Sequence, residues 1–245
     1  MLALRCPRSI QLLLAGVPQG GILSPLFFSI YINDVVQCAD AEFNLFADDM
    51  SVYVCDKLPA TLQSKLQAVV DKLSAWFNSW AIGINHKKSA LMVLSTKRSV
   101  PLLDVKLDGV SLPQVSSHKH LGLVFSNRLS WSENTSYIIA KASKKIGLLR
   151  RLRSRLPHLV LRSLYLTCVR PTLEYAGSAW IGIGSQDVLC PVRTQRAAAR
   201  LITGSSLKDK LPSDLLLARA GLDTLSLRRK SMLGHTIYSL TQQPP

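Results

Sequence analysis

Apolar residues at three- and four-residue steps mark the longest regular element in the first half of the chain. Leu62, Leu66, Val69, Val70, Leu73, Trp76, Phe77 and Trp80 keep that spacing. It predicts an amphipathic helix with one stripe on a core, ending before Gly83. Upstream, Ser24-Pro25 reads as an N-cap followed by a first-turn proline, opening a short helix through about Asp34. Between these helices, residues 41–55 form an apolar run with β-favouring residues on both sides of Asp48-Asp49. That pattern predicts a tight hairpin with acids at its tip. Beyond Gly83, residues 90–95, 105–107 and 121–125 read as short strands separated by turn signals.

The second half has helical periodicity. Ile138, Ile139, Ala142, Ile146, Leu149 and Leu152 make one stripe, with the basic residues largely off it. Leu161, Leu164, Tyr165 and Cys168 make another, which Pro171 should stop. A third stretch, about 192–202, carries Arg193, Arg196 and Arg200 around an alanine triplet. The change of character near residues 126–131 predicts a mixed α/β domain over 1–125 and a basic helical domain over 126–245.

The length of 245 residues and the 47% hydrophobic content give enough material for one or two cores and exclude an acidic disordered chain. No apolar run reaches the roughly 18 residues of a membrane span, so no membrane role is expected. The start of the chain is a poor secretory signal, since Arg5 and Arg8 interrupt it. Five scattered cysteines without a CxxC pair point to a reducing, intracellular setting rather than a disulfide or zinc framework. Charge changes the picture further. Residues 1–125 carry 11 Lys+Arg and 9 Asp+Glu, whereas residues 126–245 carry 19 and 6. No acid lies between Glu133 and Glu174. Such an excess attracts a polyanion such as nucleic acid; a solvated helix face is the alternative reading.

The carboxylates carry the candidate chemistry. Two adjacent acids repel each other unless a cation neutralises them, and their oxygens suit Mg²⁺ or Mn²⁺. A solvated turn is the plain alternative, because aspartate is a common turn residue.

The surrounding motifs decide between these readings. Gly16-Val17-Pro18-Gln19-Gly20-Gly21-Ile22-Leu23-Ser24-Pro25-Leu26-Phe27 is followed by Tyr31-Ile32-Asn33-Asp34 and then by Phe46-Ala47-Asp48-Asp49. In order and spacing they resemble the GVPQGS-x-LSP-x-LF, YIND and FADD segments of non-LTR (LINE-type, jockey-like) retrotransposon reverse transcriptases. The stretch WAIGINHKKS at 80–89 resembles that family's W-x-x-x-x-x-L-N-x-x-K-T segment, and His118-Lys119-His120-Leu121-Gly122-Leu123 its K-Y-L-G primer-grip turn. Leu173-Glu174-Tyr175-Ala176, Trp180 and QRAAARLITG at 195–204 are similar to the region after the polymerase core.

The resemblance implies an α+β fold, part of a right-hand polymerase palm with an antiparallel sheet and packed helices, then an α-helical thumb. It implies an RNA-directed DNA polymerase, using an RNA template, a DNA primer, dNTPs and Mg²⁺ or Mn²⁺. Asp48 becomes the principal metal ligand and Asp49 the second, with Lys88 near the triphosphate and Lys87 as runner-up. Gly16, Pro18, Gln19, Gly20 and Ser24 are expected to meet the incoming nucleotide and template. His118, Lys119, His120, Leu121 and Gly122 are expected to support the primer end.

Two departures stand out. Gly21 replaces the family's serine, and the family's earlier catalytic aspartate has no counterpart, because residues 1–15 contain no Asp or Glu. The expectation is therefore a truncated polymerase domain that does not polymerise as this isolated chain, with a non-catalytic nucleic-acid-binding remnant as the alternative.

Overall fold

The computed structural model describes residues 17, 20–97, 99–180 and 185–242. In chain order it contains α1 (Ser24–Ile32), a 3₁₀ turn (Asn33–Gln37), β1 (Glu42–Phe46), β2 (Asp49–Tyr53) and α2 (Pro59–Ser79). Then come β3 (Lys106–Leu107), β4 (Val110–Ser111), β5 (Ser117–His120) and β6 (Leu123–Ser126). The rest is helical: α3 (Ser132–Leu152), α4 (His158–Leu164), a π turn (Tyr165–Val169), α5 (Arg170–Glu174), α6 (Ser185–Thr203), α7 (Ser213–Arg219) and α8 (Leu225–Thr241). The strands pair as separate antiparallel hairpins, and with the helices they make an α+β fold. Packing divides the chain into one unit ending at Ser116 and another starting at Ser117. That division precedes the 125/126 boundary expected from sequence, because the β5–β6 hairpin packs on α3.

In the first unit α2 is the spine. Its Val69, Leu73 and Phe77 bury against Ile32, Val35 and the hairpin residues Phe43, Leu45, Met50 and Val52. Its Leu62, Leu66 and Val70 pack on a second cluster of Leu91, Val93, Leu103 and Val105. Each fully buried side chain of this kind contributes roughly 1.5–3 kcal/mol.

Three local expectations are corrected here. The cap of α1 falls at Leu23, so Ser24 is already the first helical residue, and a 3₁₀ turn takes over at Asn33. Residues 90–95 form no strand; Leu91 makes only an isolated bridge to Gln114. Leu91 exchanges backbone bonds with Pro113 and Val115, and side-chain amides hold the backbone further on, from Pro101 to Lys106. Gln114 Oε1 accepts from Leu103 N–H at 2.9 Å while its Nε2 donates to Pro101 O at 2.9 Å. Gln67 spans the Lys106 peptide in the same way, with both bonds at 2.8 Å. The third correction concerns residues 121–125, where Leu121 belongs to a turn and only Leu123–Ser126 is strand.

In the second unit the α3 stripe is buried as expected, with Ile138, Ala142, Ile146 and Leu149 inside. The fully buried Ala142, Ala198 and Ala199 let α3 and α6 approach closely. Helix continues past Pro171 rather than stopping there. The π turn precedes it, and Pro171 then stands in the first turn of α5, where a missing N–H costs nothing. Tyr165 and Trp180 are the bulkiest fully buried side chains.

Candidate active site

The β1–β2 register places the acids. Phe43 pairs with Val52 and Leu45 with Met50 on the core face, which leaves Phe46 opposite Asp49 on the outer face. Ala47 and Asp48 form the two-residue connection, with Ala47 at a φ of +53°. Asp48 and Asp49 are both exposed. Among the described residues, neither carboxylate has a hydrogen-bond or ion-pair partner. The core therefore holds two adjacent negative charges at a fixed tip, facing solvent. Hard oxygen donors in that position fit a divalent cation, although no group of three or more His, Cys, Asp or Glu gathers among the described residues.

The rest of the first-unit set is partly visible. Gly16, Pro18 and Gln19 lie outside the described residues. Gly20 sits at a φ of +80° with open space where a Cβ would stand, so backbone conformation rather than crowding calls for glycine. Ser24 is buried at the start of α1, whose Leu26, Phe27 and Ile30 are at least half exposed. Lys87 and Lys88 are exposed on a turn organised by Asn85. The Asn85 side chain accepts from Lys87 N–H at 3.1 Å, and its carbonyl accepts from Lys88 N–H and Ser89 N–H at 3.0 and 3.1 Å. Ile82 and Ile84 tie that turn to the same core cluster as the acidic hairpin. Tyr31 adds a tie between α1 and the end of α2, since its hydroxyl donates to Trp80 O and its ring meets the indole edge-on.

The 118–122 segment belongs to the second unit. His118, Lys119 and His120 lie on β5, and Leu121-Gly122 form a two-residue turn with φ of +47° and +81°. Positive φ at both central residues is the type I′ pattern that matches strand twist. Two residues outside the expected site hold this hairpin. Tyr175 O–H donates to Leu121 O at 2.8 Å, and a Cβ on Gly122 would stand 3.0 Å from the Tyr175 ring. Asn134, fully buried, accepts from Val124 N–H at 3.1 Å. Lys119 Nζ lies 5.0 Å above the Tyr137 ring, and the ammonium lowers the Tyr137 pKa. The LEYA segment carried the signal for Tyr175, but only a structure shows which turn it meets.

Residues 5–125, which span the acidic hairpin, the lysine turn and the 118–122 turn, match the reverse transcriptase (RNA-dependent DNA polymerase) family. The chain is 30% identical over 200 residues to a probable RNA-directed DNA polymerase from transposon X-element of Drosophila melanogaster, covering 78% of this chain and 22% of that protein. It is 27% identical over 210 residues to the RNA-directed DNA polymerase from mobile element jockey of the same fly, covering 80% and 23%. Residues 5–125 belong to the reverse transcriptase family. The chain is a partial reverse transcriptase of the non-LTR retrotransposon type, spanning less than a quarter of the length of those relatives. No solved structure matches it significantly.

Charge in the second unit is partly internal. Glu174, buried, takes both Nε and Nη2 of Arg228, the latter at 3.0 Å, with Arg170 at 3.8 Å. That pairing raises the Arg228 pKa. Arg153 donates to Gly204 O at 3.0 Å and Arg162 to Gly221 O at 2.8 and 3.1 Å, capping the ends of α6 and α7. Lys141, Lys144 and Arg151 remain exposed on α3. No helix among the described residues is long and apolar enough to cross a membrane.

Proposed function

We propose that the chain is the carboxylate-bearing part of a polymerase palm, residues 1–125, followed by a helical thumb, residues 126–245, and that it grips an RNA template with its DNA primer. The observation that carries this reading is the pair of unpartnered carboxylates fixed at the hairpin tip. Asp48, at the apex, is the principal ligand for Mg²⁺ or Mn²⁺, and Asp49 is the second. Bound there, the ion would supply charge neutralisation for nucleotidyl transfer. In that reaction the primer 3′-hydroxyl oxygen bonds to the α-phosphorus of a dNTP and pyrophosphate leaves. Lys88 faces the triphosphate as a point charge, while Gly16, Pro18, Gln19, Gly20 and Ser24 meet nucleotide and template. The Leu121-Gly122 turn, between His118, Lys119 and His120 and the rest of its hairpin, supports the primer end.

The α3 surface suits a nucleic-acid backbone. Tyr137, Lys141, Lys144, Leu148 and Arg151 recur at steps of four and three along one outer face. Lys119 borders that face through its contact with Tyr137.

Two carboxylates alone are a thin ligand set, and this favours a second reading in which the isolated chain binds template–primer without extending it. Primer extension on a homopolymer RNA with Mg²⁺ or Mn²⁺, beside Asp48→Ala, tests both. The expected result is no extension by the isolated chain, with salt-sensitive binding of the hybrid. Extension that disappears in Asp48→Ala would show the tip to be sufficient. Absence of hybrid binding would overturn the grip itself.

A further inference from the structure

A pocket of about 330 Å³ lies in the second unit between α4 and the C-terminal ends of α6 and α7. That volume is at the low end for small-ligand sites, roughly 300–1,000 Å³. Ile202 and Ala220 form its apolar floor, and Leu159, 77% exposed, stands at its mouth. His158, Arg162 and Arg219 line it, and no carboxylate does.

The side chains are held in different ways. Arg162 spends Nε and Nη2 on Gly221 O, which fixes the guanidinium and leaves Nη1 uncommitted. The His158 ring is fixed by the bond from Nδ1 to Ile202 O. Because a carbonyl can only accept, that nitrogen carries the proton. Arg219 is exposed and has no partner among the described residues. Two of the carbonyls that would repel an anion, Ile202 O and Gly221 O, are therefore already paired, and the remaining guanidinium donors are available. Thr203 and Ser205 give their hydroxyl protons elsewhere: Thr203 donates to Ala199 O, and Ser205 bonds to Thr203. The recognition falls on the arginines.

We propose that this pocket is a phosphate-binding site that takes one nucleotide unit. The phosphate meets Arg219 and the free edge of Arg162, and sugar or base rests on Leu159. Guanidinium geometry matches two phosphate oxygens at once, which an ammonium cannot do. The site uses none of the residues placed at the polymerase tip or on the α3 face, so it stands or falls apart from the proposed function.

Equilibrium binding of adenosine monophosphate, adenosine and a single-stranded oligonucleotide to the full chain tests it, with Arg219→Gln and Leu159→Asp beside the parent. Both substitutions are at exposed positions, and circular dichroism checks each fold. The monophosphate is expected to bind at least tenfold tighter than adenosine, and both variants to weaken it at least fivefold. If the oligonucleotide weakens in parallel, with a salt slope smaller by about 0.7, the phosphate comes from a strand. If only the monophosphate weakens, the site holds a free nucleotide, and the phosphate assignment stands. Equal binding of adenosine and its monophosphate, or variants that bind the monophosphate as the parent does, would overturn the proposal. Should one variant fail to fold, the other decides.

Discussion

Tyr165 is fully buried, and its hydroxyl lies beside Gln195 without an aligned hydrogen bond. Burial disfavours the phenolate and, with the nearby Glu174 charge, pushes its pKa up to about 12. An unfolded chain ionises tyrosine near pH 10. The contribution of this group to stability is therefore whole below about pH 10 and is lost as pH rises through about 12. Tyr165→Phe should leave stability near neutral pH unchanged or slightly higher, since an unsatisfied hydroxyl leaves the core. It should also shrink the alkaline loss between pH 10 and 12, read by denaturant unfolding at several pH values. Gly122 offers a second test. Alanine there meets both a φ of +81° and the Tyr175 ring at 3.0 Å, whereas Gly109 has a φ of +80° and open space. Backbone strain alone costs about 1–2 kcal/mol. Gly109→Ala should lose about that much and Gly122→Ala clearly more; equal losses would mean that the Tyr175 ring yields freely.

Hairpins and helices differ in how much of them a sequence reveals. The α2 and α3 stripes repeat over several turns, so Val69, Leu73, Phe77 and Ile138, Ala142, Ile146 are found inside as the spacing requires. The acidic hairpin was legible too, because apolar alternation resumes on each side of Asp48-Asp49. Residues 90–105 were not. From Pro101 to Lys106 the backbone is tied instead by the side chains of Gln63, Gln67 and Gln114, and no local pattern announces a tertiary hydrogen bond. The same holds for Tyr175, whose turn partner lies 54 residues away. At the acidic hairpin, the unpartnered carboxylates yield a metal prediction. A ligand that binds only the folded state raises its stability with concentration. Mn²⁺ should raise the melting temperature of the parent chain and broaden less, or not at all, in Asp48→Ala by paramagnetic relaxation. An unchanged response in Asp48→Ala would place the ion elsewhere.

Charge is a property of the whole chain, and its net +15 does not act as a uniform coat. Lys145, Arg153, Arg162, Arg170 and Arg228 serve internal carbonyls, a hydroxyl or Glu174. Arg229, mostly buried above the Trp180 ring at 4.2 Å, has its pKa lowered by burial. These side chains hold the second unit together, so neutralising them should cost stability before it costs nucleic-acid affinity. Lys141 and Lys144 are placed differently, exposed on the outer face of α3. Each duplex phosphate released from its counterions contributes a slope of about −0.9 to log affinity against log salt. Lys141→Gln and Lys144→Gln should each flatten that slope for an RNA–DNA hybrid by up to about 0.9, with the melting temperature unchanged. Arg228→Gln should do the reverse, lowering the melting temperature because it leaves the buried Glu174 carboxylate with only the longer contact to Arg170, at 3.8 Å. A slope indifferent to both lysines would remove α3 from the nucleic-acid surface and leave the excess charge to structure alone.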